Sequence, residues 1–357
     1  RLRDKISSRD DSAILKGHML VADTLQRYSA LTEEGLRKLF VDRNFPLYRL
    51  MEYQLRWRTE TGESLDYPSA IMRLHGSLCL MTCEGLTGAT AKALPSSIAV
   101  ELISQFTQIH NDIQEGSQSR YQRPTVWWIW GPGQAINAGD GLHALARLSL
   151  LQQDPPAAPE NTIEFLQTLD HASLRMCEGM YLEMEHQERI DVFPDTYLKM
   201  AREKVGALLG CALEMGAMAA DAPKPICLAV KHYGEEIGIA LQIQEDIQSL
   251  WGEPLSGKIT GLDLLNKKKG YPVILSLAEA PISQKRELGT LFFKRVLESR
   301  DIEQVKGILD GLGSREKAQQ AARDTVRNAE KHLSDVDLTG NNLDDIRRTC
   351  KWLALRE

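Results

Sequence analysis

The chain has 357 residues, 43% of them hydrophobic and 26% charged, with 43 Lys and Arg against 49 Asp and Glu for a formal net charge of −6. That apolar fraction excludes general disorder, and the acidic surplus argues against a sequence-independent nucleic-acid binder, which needs basic charge to displace counterions. With no run of 18 apolar residues, and an opening RLRDKISSRDDS that lacks an apolar signal core, neither a membrane span nor a secretory signal is expected, and the location reads as cytoplasmic.

Residues 1–50 read as a candidate helical extension packed on the body. Beyond them, apolar residues recur at spacings of three and four. In 97–113 they include Ile98, Leu102, Phe106, Ile109 and Ile113, the stripe of an amphipathic helix. The pattern continues through 162–190, 194–219, 230–251, 316–333 and 342–355. Breaker-rich stretches separate these runs at 61–67, 85–95, 116–124, 154–159, 220–225, 252–269 and 311–314. Strand signals are nearly absent, so the chain is predicted to be all-α, a dozen or so helices. No linker forces a split, and 1–357 is expected to be one domain. The six cysteines, Cys79, Cys83, Cys177, Cys211, Cys227 and Cys350, form no CxxC pair. They read as small buried hydrophobes in a reducing compartment.

Two helix ends carry unusual polar chemistry. The first runs Gln108-Ile109-His110-Asn111-Asp112-Ile113-Gln114-Glu115 and closes at Gly116. Asn111 and Glu115, four apart, share a face, with Asp112 beside them. The second runs Gln242-Ile243-Gln244-Glu245-Asp246-Ile247-Gln248-Ser249, and here Glu245 and Ser249 share a face. Oxygen-rich helix ends facing each other suit Mg²⁺, which takes oxygen ligands and bridges to phosphates. Taken singly, either segment is equally an ordinary solvated helix terminus.

Their context narrows the choice. The run 99–115 is followed by Arg120-Tyr121-Gln122-Arg123-Pro124-Thr125-Val126-Trp127 and by Ala135-Ile136-Asn137-Ala138-Gly139-Asp140. Together with 242–252, Gly257-Lys258, Asp263, Lys267-Lys268-Lys269-Gly270-Tyr271-Pro272 and Lys204, this order resembles the trans-isoprenyl diphosphate synthases from about Leu50 to the C-terminus.

The resemblance implies an isoprenoid synthase (prenyltransferase-type) helical bundle around a deep apolar pocket, and a homodimer. It also implies two acidic motifs that hold Mg²⁺ on an allylic diphosphate. In this chain the metal set would be Asn111, Asp112 and Glu115 with Glu245 and Ser249, thinner in carboxylates than the family's DDxxD pair. Arg120, Lys204, Lys258 and Lys268 stand at family positions that bind the diphosphate, and Gln242 is kept. The expected catalytic set is therefore Asp112, Glu115, Arg120, Lys204, Gln242 and Lys268. Phe106 and Thr107, just ahead of Asn111, and Met180, at a family glutamine position, are expected to line the pocket. The Phe–Thr pair resembles the twenty-carbon type.

The side that would hold an acceptor departs further. Met72, His75, Ser104 and Tyr121 stand where the family places groups that contact isopentenyl diphosphate. A diphosphate needs cationic donors, so the sequence favours a class I terpene synthase on this scaffold. Such a carbon–oxygen lyase ionises a C20 linear or bicyclic prenyl diphosphate and quenches the cation by proton loss or water. No DxDD motif occurs, so a bicyclic substrate would need a separate class II cyclase as supplier. The alternatives are a prenyltransferase, chain-elongating or with a non-standard acceptor, and a catalytically weak partner subunit.

Overall fold

Apolar residues at helical spacing become helices along nearly the whole chain. The structure, a computed structural model, describes residues 9–65, 72–152, 158–189, 191–252, 260–294, 296–338 and 342–356, with residues 9–19 given by backbone alone. Lys258, one of the expected diphosphate contacts, lies outside the described residues.

Helices α1 (Arg9–Leu39), α2 (Pro46–Gln54) and α3 (Leu74–Thr87) open the fold, followed by α4 (Leu94–Gln114), α5 (Val126–Leu151) and α6 (Pro159–Glu188). A short α7 (Pro194–Ala201) runs through a π-helical turn, Arg202–Gly206, into α8 (Ala207–Ala219). Then come α9 (Lys224–Trp251), α10 (Leu262–Leu265), α11 (Tyr271–Glu279), α12 (Ile282–Phe293), α13 (Ser299–Gly311), α14 (Ser314–Ser334) and α15 (Asp344–Leu355). The described chain is therefore all-α but for one short hairpin. Among the described residues the one sheet is a hairpin, β1 (Ser119–Arg120) against β2 (Arg123–Pro124). Its two turn residues, Tyr121 and Gln122, both have positive φ (51° and 58°), which a two-residue hairpin of the right twist demands.

The expected extension is helical and belongs to the core. Val21, Leu25, Tyr28 and Leu36 lie on one face of α1 and are buried, and α1 packs on α3 and α4. At the centre, α8 is buried nearly all round and α9 over most of its length, the mark of interior helices. They cross at touching backbones: a Cβ on Gly234 would meet Gly210 Cα at 2.8 Å, and one on Gly238 would meet Gly206 Cα at 2.4 Å. This close approach fixes the π-turn at the start of α8 beside the middle of α9. Helix α5 is broken at Gly131 (φ 81°, ψ 160°), directly before Pro132: proline disfavours a helical predecessor, and glycine tolerates the positive φ taken instead. A smaller apolar cluster, including Leu264, Val273, Leu288, Phe292, Val305 and Leu309, ties α10 to α13 beneath the end of α9. No helix among the described residues is long and apolar enough to cross a membrane.

Candidate active site

The two acidic helix ends meet across one cleft of about 350 Å³. Asn111 and Asp112, near the end of α4, line it opposite Gln242, Glu245 and Asp246 of α9, and Arg120, Lys204, Asp263 and Lys268 complete the same wall. Of the expected catalytic set, all but Glu115 line the cleft, and Glu115 is joined to it through Lys268. Ser249 does not line the cleft; its hydroxyl donates back to the Asp246 carbonyl at 2.9 Å.

Each cation here is held by a carboxylate. Arg120 Nε donates to Asp112 Oδ1 at 2.9 Å, and both side chains are buried. The ion pairs let the Asp112 and Glu115 side chains both be covered. Lys268 Nζ lies 2.8 Å from Glu183 Oε1 and 3.4 Å from Glu115 Oε1. Lys204 Nζ donates to the other oxygen of Glu183. Glu183 therefore holds two ammonium groups side by side. Burial works against the charge of Lys268, but Asp263, Glu183, Glu115 and Asp246 keep its pKa well above the usual lysine value.

The local backbone explains how Lys204 reaches this place. It sits in the π-turn, and a Cβ on Gly179 of α6 would meet Lys204 N at 2.2 Å. The widened turn and the bare glycine let α6 press directly on the segment that carries the lysine.

Asp246 is the hub of the α9 side. It accepts from Gln242 Nε2 at 2.8 Å, from the Tyr271 backbone N–H at 2.7 Å and from the Tyr197 hydroxyl. Burial pushes its carboxyl up to about 6, against the pull of Lys268 and these donors. Glu245 accepts from Arg356 Nη2 at 3.0 Å. Tyr197 and Arg356 had no signal in the sequence, since they reach the site from α7 and from the last turn of the chain.

Phe106, Thr107 and Met180 do not line this polar cleft. They line a second cavity of about 190 Å³ with His110, Met176 and Met184. His110 stacks edge-on against Phe106 and lies 3.5 Å from Asp140, turned from the acidic motif it precedes. Trp128 is exposed, whereas Trp127 and Trp130 pack on the core.

The donor set tests the expectation of Mg²⁺. Among the described residues no three His, Cys, Asp or Glu side chains converge as a ready-made cage. What the cleft offers is oxygens, from Asn111, Asp112 and Glu245, with Glu115 reaching it through Lys268. That fits Mg²⁺, which is usually held by one or two carboxylates and completed by water and substrate phosphates.

Residues 72–309 match the family model described as Polyprenyl synthetase. The chain belongs to the polyprenyl synthetase family. A geranylgeranyl diphosphate synthase from Mycobacterium tuberculosis is 31% identical over 298 residues, 82% of each chain. A solved polyprenyl synthetase from Streptomyces coelicolor superposes with a TM-score of 0.82 at 27% identity, covering 94% of this chain and 98% of its own. A geranylgeranyl pyrophosphate synthetase from Pyrococcus horikoshii superposes at 0.81 with 25% identity, covering 95% and 99%.

These relatives correct the lyase expected from the sequence. They are named as synthases of prenyl diphosphates, and they point to a prenyltransferase rather than a terpene synthase. The physical reason lies in the cleft. Met72, His75, Ser104 and Tyr121 do line it, but arginines share the cleft with them, Arg56 and Arg123 beside an Arg73 already paired to Glu33. His75 is no substitute, because burial pushes it down to about 4 and leaves it neutral near pH 7.

Proposed function

We propose that this polyprenyl synthetase family member is a chain-elongating prenyltransferase. It joins an allylic prenyl diphosphate to isopentenyl diphosphate and releases a longer prenyl diphosphate, of about twenty carbons by the resemblance of Phe106 and Thr107. The observation that carries the reading is the convergence of carboxylates from α4 and α9 with Arg120, Lys204 and Lys268 on one cleft.

Asn111, Asp112, Glu115 and Glu245 would hold Mg²⁺. When bound, the metal supplies positive charge to the leaving diphosphate. Lys204 and Lys268, set side by side by Glu183, point two ammonium groups at that diphosphate, and Arg120 adds a guanidinium from the hairpin. Such preformed cations stabilise charge as it develops on the leaving group and need no reorganisation at that moment. Tyr197, Gln242 and the Tyr271 N–H orient Asp246. The prenyl chain would extend toward the apolar cavity of Phe106, Thr107 and Met180, away from the charged mouth.

The reading is tested by incubating the protein with geranyl or farnesyl diphosphate, isopentenyl diphosphate and Mg²⁺, then sizing the products by mass spectrometry. A product longer by five-carbon steps that retains its diphosphate is expected. Release of hydrocarbon or alcohol at the length of the allylic substrate would reject the reading.

A further inference from the structure

The cleft holds further cations. Arg56, Arg73 and Arg123 line it beside Met72, His75 and Tyr121. Arg73 is committed to the fold. It is 1% exposed, its Nε and Nη2 donate to Glu33 Oε2 at 2.9 and 2.8 Å, and Nη2 also donates to the Leu55 carbonyl at 2.7 Å.

Arg56 and Arg123 are not so committed. Among the described residues neither makes an ion pair. Arg56 Nε is buried with no hydrogen-bond partner, and its guanidinium lies 5.2 Å from the centre of the Tyr121 ring. Arg123 Nη2 donates to the Arg58 carbonyl at 3.0 Å, and its guanidinium rests 4.3 Å from the centre of the Tyr53 ring. Burial, and then the charges of Arg123 and Arg73, lower the pKa of Arg56, a sign that like charges crowd there. Glu101 also lines the cleft, but its carboxylate faces the Gly76 N–H and Gln105. Both arginines are carried by left-handed backbone: Arg56 itself has φ 65°, and Arg123 follows the Tyr121–Gln122 turn. Non-glycine residues adopt such conformations at a cost.

Two guanidinium groups that line one cleft, neither in an ion pair among the described residues, call for an anion, and planar donors match a phosphate. We propose that Arg56 and Arg123 form the clamp for the acceptor's diphosphate, from positions other than Met72, His75 and Tyr121. The inference rests on the chain-elongation reading for the identity of the acceptor. Its geometry is independent of that reading, because the arginines take no part in the ion pairs that hold Lys204, Lys268 and Arg120.

The test uses the full chain with Mg²⁺ and a thiolo-diphosphate analogue that fills the allylic end without ionising. Isopentenyl diphosphate is then titrated calorimetrically into wild type, Arg56→Gln, Arg123→Gln and Arg56→Lys, alongside steady-state KM values for both substrates. Each Gln variant should weaken isopentenyl diphosphate binding roughly tenfold or more, the scale of one charge-assisted hydrogen bond. The allylic KM should stay within about twofold, and Arg56→Lys should recover part of the loss. Met72→Lys added to Arg56→Gln should restore binding if the lost charge is the cause. Should Arg56→Gln fail to fold, Arg56→Lys and Arg123→Gln carry the comparison. Wild-type binding that both arginine substitutions leave unchanged, or no binding by wild type at millimolar ligand, overturns the clamp. Binding that depends on the arginines but yields no longer product would keep the clamp and reject chain elongation.

Discussion

At the scale of single residues, the site works by balancing buried charges. Lys268 faces Asp263, Glu183, Glu115 and Asp246, so its removal leaves acids without their cation. Breaking a buried ion pair from one side costs about 3–5 kcal/mol. Lys268→Met should therefore lower stability by about 3 kcal/mol and kcat/KM at least a hundredfold, measured by denaturant unfolding and by steady-state assay. His75 gives a pH prediction of known sign. The unfolded imidazole takes up a proton near pH 6.5, but burial delays this to about 4 in the fold. Between those values the unfolded chain binds more protons, so stability falls as pH drops from 6.5 toward 4. The loss should reach about 2 kcal/mol at pH 5, and His75→Gln should remove most of it, read from unfolding at pH 7.5 and 5.0. The sequence named most of these side chains by spacing and resemblance. It did not name Arg56, Tyr197 or Arg356, because their approach to the cleft is a product of tertiary packing and leaves no local pattern.

At the scale of elements, helix periodicity was readable and departures from it were not. Apolar spacing located α4, α6, α9 and α14, and it located the breaker-rich stretch that holds the β1–β2 hairpin. Nothing in Arg202-Glu203-Lys204-Val205-Gly206 announces a π-turn, which arises where α6, α8 and α9 press together. Gly179 is the contact that permits it. Gly179→Ala would set a Cβ 2.2 Å from Lys204 N and 2.5 Å from its Cα, against backbone that has no side-chain freedom to yield. Overpacking of this kind costs about 1–3 kcal/mol. The variant should melt earlier and, because the turn carries Lys204, should lose more in allylic-substrate KM than a mutation of equal stability cost elsewhere. Equal losses would mean that the turn does not position the lysine.

At the scale of the whole molecule, the apolar content already indicated a packed chain and the apolar spacing a helical one, and the family resemblance supplied the architecture that the structure adopts. The same resemblance led to a wrong activity, because counting cations at family positions ignores cations that arrive from elsewhere. Assembly remains a prediction. Ile163, Leu174 and Tyr181 share one face of α6 and are 55%, 59% and 69% exposed, and Tyr181 also lines the cavity of Phe106 and Met180. A second copy packed on this face would cover it and close that cavity from outside. Sedimentation should give twice the chain mass, and Leu174→Arg should shift the equilibrium toward monomer.

In the proposed reaction one cleft joins two diphosphate substrates. Its most direct test follows carbon-labelled isopentenyl diphosphate, in the presence of Mg²⁺ and an unlabelled allylic diphosphate. Label should enter a longer prenyl diphosphate only when the allylic partner is present. Consumption of the allylic diphosphate into unlabelled hydrocarbon or alcohol, with isopentenyl diphosphate left intact, would contradict it.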